Sequence, residues 1–381
     1  MRFIHISDTH LGYHQYGLKE RAEDFFDVFN EAVDFAVEKK VDFIIHTGDF
    51  FHSSRPSNQV ILQGMEILRR LNDAKIPIFV ISGNHDRGSQ VKDVSPLKIL
   101  QPLGLNLIDS GVLEYEGLFI GGLKYISKAG LRQIEGIKEI LEKYLEQMGE
   151  GFKILLLHQE FQPFFPDSSL NMSVELPEGF DYVGVGHYHI AQSPVDVNGA
   201  TVVYSGSTEF TAYNEKEEET GKGFYFVEVD RKNVKPEFIH LKRKRPFLYY
   251  SLSEDSVDEL VKQIRLDLEK FENRKKPVIV LKGTLKEMTP ADLIRYLKNE
   301  GISSEEESVL HVNFNFTREF KEAERVFIET TEENIKNELK KLIGDEQLFS
   351  SVVEALTFLK SFDSIDEVKK YLKENPDFID F

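Results

Sequence analysis

Short apolar runs and longer stretches of helical period alternate through the first half of the chain. "RFIHIS", "DFIIHT" and "IPIFVIS" are dense in β-branched and aromatic residues and end in polar turns, which predicts buried strands. Between them apolar residues recur every three to four positions from about Glu20 to Lys39 and from about Asn58 to Asn72, which predicts two amphipathic helices. Such alternation is the signature of α/β architecture. Further on, "GLFIGGL", "FKILLLH", "DYVGVGH", "ATVVYSGS" and "GFYFVEVD" predict more strands, with one charged helix from about Leu131 to Met148. After Leu118 strands outnumber helices, so a second sheet packed against the first is expected.

Near "LKRKRPF" the character changes. Residues 246–316 read strand, helix, strand, helix, strand: "FLYYSL", "SVDELVKQIRLDLEKF", "PVIVLKG", "TPADLIRYLKN", "SVLHVNFNF". That is enough for a small α/β domain after a first domain over 1–240. Residues 317–333 are charged and weakly patterned, as in a linker. In 334–381, Leu339, Leu342 and Ile343, then Leu348, Val352 and Leu356, then Ile365, Val368 and Leu372 recur at helical spacing. These short helices are too small to bury themselves well.

Composition narrows the class. Of 381 residues 41% are hydrophobic, with 30 Phe and 14 Tyr, enough for a sizeable core. The absence of cysteine removes disulfides and thiolate metal sites, points to a reducing compartment, and restricts any metal to His, Asp, Glu and Asn. No leader pattern opens the chain and no apolar run approaches the roughly 20 residues of a membrane span. A cytoplasmic protein with no membrane association is expected. A net charge of −18 argues against holding nucleic acid through the overall field, so a nucleic-acid enzyme here needs bound cations, a local basic patch or a partner.

The candidate chemistry sits where strands end. "FIHIS" leads into Asp8 and His10; "FIIHT" into Gly48 and Asp49, with His52 after two Phe; "IFVIS" into Asn84, His85 and Asp86; "ILLL" into His158; "YVGV" into His187 and His189. Taken singly, Gly-Asp after a strand is ordinary turn chemistry and His158 reads as a core histidine, as His5 and His46 do. Five such endings together are another matter, because ligands of α/β sheets bind at the carboxyl ends of strands. Asp8 with His10, and His187 with His189, are separated by one residue, so extended backbone would aim each pair to one side. Seven ligand types of mixed oxygen and nitrogen suit Mn, Fe or Zn, and suffice for two metals about 3.5–4 Å apart if one carboxylate bridges. Asp86 has two readings, as a turn cap or as the group orienting His85.

These five blocks resemble those of the calcineurin-like metallophosphatase superfamily over roughly the first 210 residues. Protein phosphatases of that superfamily follow Gly-Asp with Asp-Arg-Gly and close the third block in Glu. Here stand "GDFFHSSRPS" and "GNHD", and with "SDTHLGY" the whole chain is similar to archaeal double-strand-break repair nucleases of the SbcD and meiotic-recombination-eleven family. The resemblance implies a two-sheet α/β/β/α sandwich, a small α/β capping domain flanking DNA, and C-terminal helices. It assigns Asp8, His10, Asp49 and His189 to one metal, and Asp49, Asn84, His158 and His187 to the other, with manganese the usual activator. His85 is then the catalytic histidine toward the leaving oxygen and His52 an auxiliary near the phosphate.

The implied reaction is phosphodiester hydrolysis, as a 3′ to 5′ exonuclease on double-stranded DNA and an endonuclease on single strands, in a nucleoid-associated setting. The implied partners are DNA, an SMC-like ATPase of the Rad-fifty or SbcC type on segment 334–381, and a second copy. The dimer would form through helices after the second and third blocks, carrying Ile61, Met65, Leu68, Leu71, Leu97 and Leu100. Apolar helix stripes equally face a chain's own core. The best local phosphate contacts are Lys242, Arg243, Lys244 and Arg245, then Arg274, Lys275 and Lys276, although a basic run is commonly a solvated surface. Two other readings stand beside this one: a small-molecule phosphodiesterase or phosphomonoesterase of the same superfamily, and a non-catalytic scaffold with the same fold.

Overall fold

The computed structural model describes residues 1–87, 94–127, 130, 136–160, 164, 175–212, 215–253, 256–271, 275–285, 288–306 and 308–318. Arg274, nearly all of the expected linker and the whole of segment 334–381 lie outside the described residues. The chain divides into two compact units: Met1–Tyr250 with Asp258–Leu281 and Leu297–Phe314, and Ser251–Val257 with Lys282–Tyr296 and Asn315–Phe381. Parts of the expected small domain thus group with residues 1–250.

The strand–helix alternation read from the sequence is present in the first unit. In chain order come β1 (Arg2–Ile6), α1 (Lys19–Lys39), β2 (Phe43–His46), α2 (Asn58–Asp73), β3 (Ile78–Val80), α3 (Leu97–Leu100), β4 (Leu105–Leu107), β5 (Ser110–Tyr115), β6 (Leu118–Leu123) and α4 (Ile137–Gln147). They are followed by β7 (Phe152–His158), β8 (Tyr182–Gly186), β9 (Val195–Val197), β10 (Ala200–Tyr204), α5 (Glu215–Thr220), β11 (Gly223–Asp230) and β12 (Asn233–His240). The start of α2 is set by Ser57, whose hydroxyl accepts from Val60 N at 3.4 Å. α1 ends where Lys40 turns left-handed at φ 52° and donates back to Ala36 and Val37.

Two six-stranded sheets result, ordered β12-β11-β1-β2-β3-β4 and β5-β6-β7-β8-β10-β9. β1 to β4 are mutually parallel, as are β6, β7, β8 and β10; antiparallel strands close both edges of the second sheet and the β11–β12 side of the first, whose other edge is the parallel strand β4. Period-two alternation explains the near-continuous apolar runs, since both faces of each sheet are covered. Phe3, Phe43, Ile45 and Phe79 point from the first sheet onto Ile120, Ile154, Leu156 and Tyr182 of the second. Ile4, Ile44 and Val80 point the other way, onto Phe29, Val33 and Ile67 of α1 and α2. Leu155, Val183 and Val202 likewise meet Leu141 and Tyr144 of α4. The order helix, sheet, sheet, helix is the expected α/β/β/α sandwich. Burying each such side chain contributes about 1.5–3 kcal/mol.

β13 (Phe247–Ser253), α6 (Val257–Glu269), β14 (Val278–Leu285), α7 (Pro290–Asn299) and β15 (His311–Arg318) complete the described elements, the strands forming a sheet in that order. β15 carries two residues into the expected linker. Within the first unit Phe247, Val278 and Val280 pack with Phe210. In the second unit Thr289 starts a helical turn by accepting from Asp292 N at 3.2 Å. No helix among the described residues is long and apolar enough to cross a membrane.

Candidate metal centre

All five strand endings arrive at one place. β1, β2 and β3 are parallel neighbours in one sheet and β7 and β8 in the other, so their carboxyl ends lie along one edge of the sandwich. The loops are laced together: Asp8 N donates to Gly48 O at 3.0 Å and His10 N to Asp49 O at 3.0 Å. Extended backbone, expected to aim the paired side chains, is not what does so. Asp8, His10, Asp49 and His187 have φ of 51°, 43°, 53° and 88°, four of the ten non-glycine residues with positive φ among those described. Such conformations cost about 1–3 kcal/mol each and persist where the surroundings dictate them.

The side chains form two groups that share Asp49. In the first, His10 Nε2 and His189 Nε2 are 3.1 Å apart, with Asp8 Oδ1 3.7 Å from the latter and Asp49 Oδ2 3.9 Å from the former. In the second, Asn84 Oδ1 lies 3.1 Å from His158 Nε2 and 3.0 Å from His187 Nδ1, and His158 Nε2 is 3.5 Å from Asp49 Oδ2. Partners outside the pocket orient the donors. His158 Nδ1 donates to Thr47 O at 2.7 Å, and His189 Nδ1 meets Thr211 Oγ1 at 2.7 Å. Ser7 and the His187 amide both donate to Asp8 Oδ2, at 2.6 and 3.1 Å. Asp8 Oδ1 is buried with no hydrogen-bond partner among the described residues. An orphaned buried carboxylate oxygen facing two imidazole nitrogens 3.1 Å apart is an arrangement that a cation satisfies. The donor set therefore fits divalent metals.

Electrostatics agree. Burial alone would raise Asp49, but His158, His10 and His85 outweigh it and hold the carboxyl well below the usual carboxylate range. Burial, with the neighbouring Asp49 charge, pushes Asp8 up to about 6 despite His158. Against burial, Asp49 and then Asp8 push His158 up to about 9. Burial, then His158, brings His187 down to about 4, and burial, then Lys222, brings His189 down to about 3. Burial also takes His10 well below its ordinary value. His10, His187 and His189 are thus neutral at pH 7 with lone pairs available, beside a carboxylate pair whose field holds a proton on His158 that a dication would displace.

His85 and His52 stand at the mouth. His85 N donates to Asp49 Oδ1 at 2.8 Å, and its Nδ1 donates to His52 O at 2.7 Å, which leaves Nε2 as the free ring nitrogen. His52 stacks between His85, at 5.0 Å, and Tyr13, at 3.8 Å. Of the two readings of Asp86 the structure supports the turn cap. Its carboxylate accepts from the amides of Phe50, Phe51 and Gly83 at 3.1, 2.9 and 3.0 Å, while the His85 ring turns to the His52 carbonyl.

Sequence reasoning missed the residues that support the candidate ligands. A Cβ on Gly83 would lie 2.1 Å from Asp49 Oδ1, and one on Gly186 2.2 Å from Ser7 Oγ. A glycine just past or at the end of three ligand-bearing strands was a legible signal of close approach. Thr211 and Lys222 carry no such signal, because nothing in their local sequence points at His189.

The basic residues are placed unevenly. Arg245 is buried, with its guanidinium on both oxygens of Asp24 and on Lys276 O, so it is a structural residue and not a phosphate contact. Lys275 bonds Asp24 and Asp27 at 2.9 and 2.8 Å, and Arg243 bonds Asp34 at 2.6 Å. Lys242 and Lys276 are exposed, and Lys244 lies over Phe210 at 5.5 Å. The apolar helix stripe also needs correction. Leu68, Leu71, Leu97 and Leu100 are buried in the chain's own core. Ile61 is half-buried, and exposed apolar area comes from Met65 with Leu62 and Ile99, at 36%, 54% and 51%.

A model of the calcineurin-like phosphoesterase family matches residues 1–191. The chain is 36% identical over 239 residues to DNA double-strand break repair protein Mre11 of Methanococcus maripaludis, a match spanning 60% of this chain and 63% of that one, less than two thirds of the relative's length. It is 30% identical over 382 residues to the protein of the same name from Thermoplasma acidophilum, with 97% of each chain covered. With that of Sulfolobus acidocaldarius the figures are 27% over 387 residues, covering 98% and 94%.

Proposed function

The chain belongs to the calcineurin-like phosphoesterase family and, within it, to the DNA double-strand break repair protein Mre11 family, and from that premise we propose that it is a two-metal DNA nuclease. Asp8, His10, Asp49 and His189 would hold one metal, and Asp49, Asn84, His158 and His187 the other. The observation that carries the reading is the sharing of Asp49 between two donor groups, one of them containing the orphaned Asp8 oxygen. Divalent cations bound there, manganese in this reading, neutralise phosphodiester oxygens and acidify a water.

The chain's own residues do the rest. Thr211, Thr47 and Ser7 hold the ligands so that each presents one lone pair inward. His85, its Nδ1 held by the His52 carbonyl, turns Nε2 to the leaving sugar oxygen, and when the ring is the imidazolium the Nε2 proton passes to that oxygen and leaves the neutral Nδ1–H ring. His52, stacked on Tyr13, keeps His85 from swinging away. The substrates are double-stranded DNA, degraded 3′ to 5′, and single strands, cut internally, at double-strand breaks. An SMC-like ATPase docks on segment 334–381, and a second copy docks on the face carrying Leu62, Met65 and Ile99.

The test is manganese-dependent cleavage of end-labelled DNA by wild-type protein and His85→Gln. Cleavage should fall about 10²-fold or more while two metals per chain remain bound. An unchanged rate removes His85 from the reaction. Turnover of a nitrophenyl phosphodiester with none of DNA would replace the polymer substrate with a small one.

A further inference from the structure

Lys222, between α5 and β11, is fully buried, and all three of its N–H donors are engaged. Its ammonium donates to His189 O at 3.0 Å, to Ser207 Oγ at 2.6 Å and to the Glu217 carboxylate. An ammonium in the interior is costly unless fully paired, and an apolar side chain of equal volume would do as well for stability alone. Its placement therefore calls for a reason other than packing.

The reason lies in the loop after β8. His189 leaves that loop 33 residues before Lys222, and its ring is tied by Nδ1 to Thr211. Its main chain is tied by the carbonyl, which receives Ser207 N at 3.1 Å and the Lys222 ammonium. Ser207 is held in turn, its hydroxyl donating to Glu209 O at 2.9 Å. Ring and backbone are thus clamped from opposite ends, and Nε2 is left 3.1 Å from His10 Nε2.

We propose that Lys222 is a positioning residue for one metal of the pair: by gripping the His189 carbonyl it sets the direction of the His189 lone pair, while its hydrogen bonds among the described residues go to His189, Ser207 and Glu217 and to none of Asn84, His158 and His187. This rests on the reading of His189 as a ligand. Partners behind a ligand are typically worth about 10–100-fold in metal affinity.

The experiment titrates metal-free protein with manganese by calorimetry, following melting in parallel, for wild type, Lys222→Met, and Lys222→Met combined with Glu217→Gln, which leaves no buried charge behind. Wild type should bind two ions. Both variants should fold and keep one site unchanged while the other weakens about 10-fold or more. Glu217→Gln alone, with the grip on His189 retained, should bind as wild type. A folded variant with two unaltered sites overturns the inference, as does equal weakening of both sites. So does failure of both Lys222 variants to fold, since the role would then be structural. Wild type that binds no manganese refutes instead the metal reading itself.

Discussion

Gly83→Ala tests the packing of the centre with a single methyl group. Gly83 does not adopt a positive φ, so alanine meets no backbone penalty there and the effect is steric. Its Cβ would lie 2.1 Å from Asp49 Oδ1 and 2.4 Å from Asp49 N, where real contacts stay beyond 3.0 Å. The obstacle includes backbone, so the β2 and β3 endings must part by about 1 Å, a misplacement that costs about 10²-fold in rate when reacting groups are held in register. Overpacking of this kind also costs about 1–3 kcal/mol of stability. The same shift breaks the Asp49 link to His85 N, now 2.8 Å, and moves the carboxylate both donor groups share. Manganese titration and DNA cleavage, with melting as a check, should show both metal sites weakened and cleavage down about 10²-fold. Gly117→Ala is the control: at φ 80° with nothing within 4 Å, it should cost about 1–2 kcal/mol and leave metal binding alone. A Gly83→Ala protein with wild-type affinity and rate would refute the claim that the centre is packed against its glycines.

Three further outcomes are expected. Arg245→Ala should lower stability by about 1.5–3 kcal/mol by removing the guanidinium from buried Asp24, which keeps Arg21 and Lys275, whereas Lys242→Ala and Lys276→Ala should leave melting unchanged and each reduce the salt slope of DNA binding by about 1; equal melting in all three would refute the division. Although burial opposes it, Arg245 and then Arg21 and Lys275 depress the Asp24 carboxyl, so this contribution is present above its ordinary value of 3.8 and is lost as pH falls through the lower folded value. Acid melts should therefore show a shallower loss below about pH 4 in Arg245→Ala than in wild type. Leu62→Asp with Ile99→Asp should shift sedimentation from dimer to monomer with cleavage of short single strands retained; a dimer that survives would move the contact elsewhere.

The sequence by itself determined the layers and the inventory of the centre. Apolar runs without polar breaks, as in the "ILLL" of β7, are readable because strands covered on both faces have no solvent side to mark. The candidate ligand types are readable because each stands at or just past the end of a strand, where parallel topology carries it to one edge. Only the tertiary structure decided how those side chains are aimed. Left-handed turns at Asp8, His10, Asp49 and His187 are not fixed by residue type, since Asp and His tolerate positive φ better than most residues without requiring it, and any alternation rule assumes extended backbone. Nor did local pattern reveal that Asp86 caps amides in place of orienting His85, or that Arg245 is buried on Asp24, 221 residues away. A charge in a basic run reads as exposed until its partner arrives from elsewhere in the chain. Likewise an apolar stripe such as Leu68 and Leu71 is identical in sequence whether it meets its own core or a second copy, because burial is a property of what packs against it.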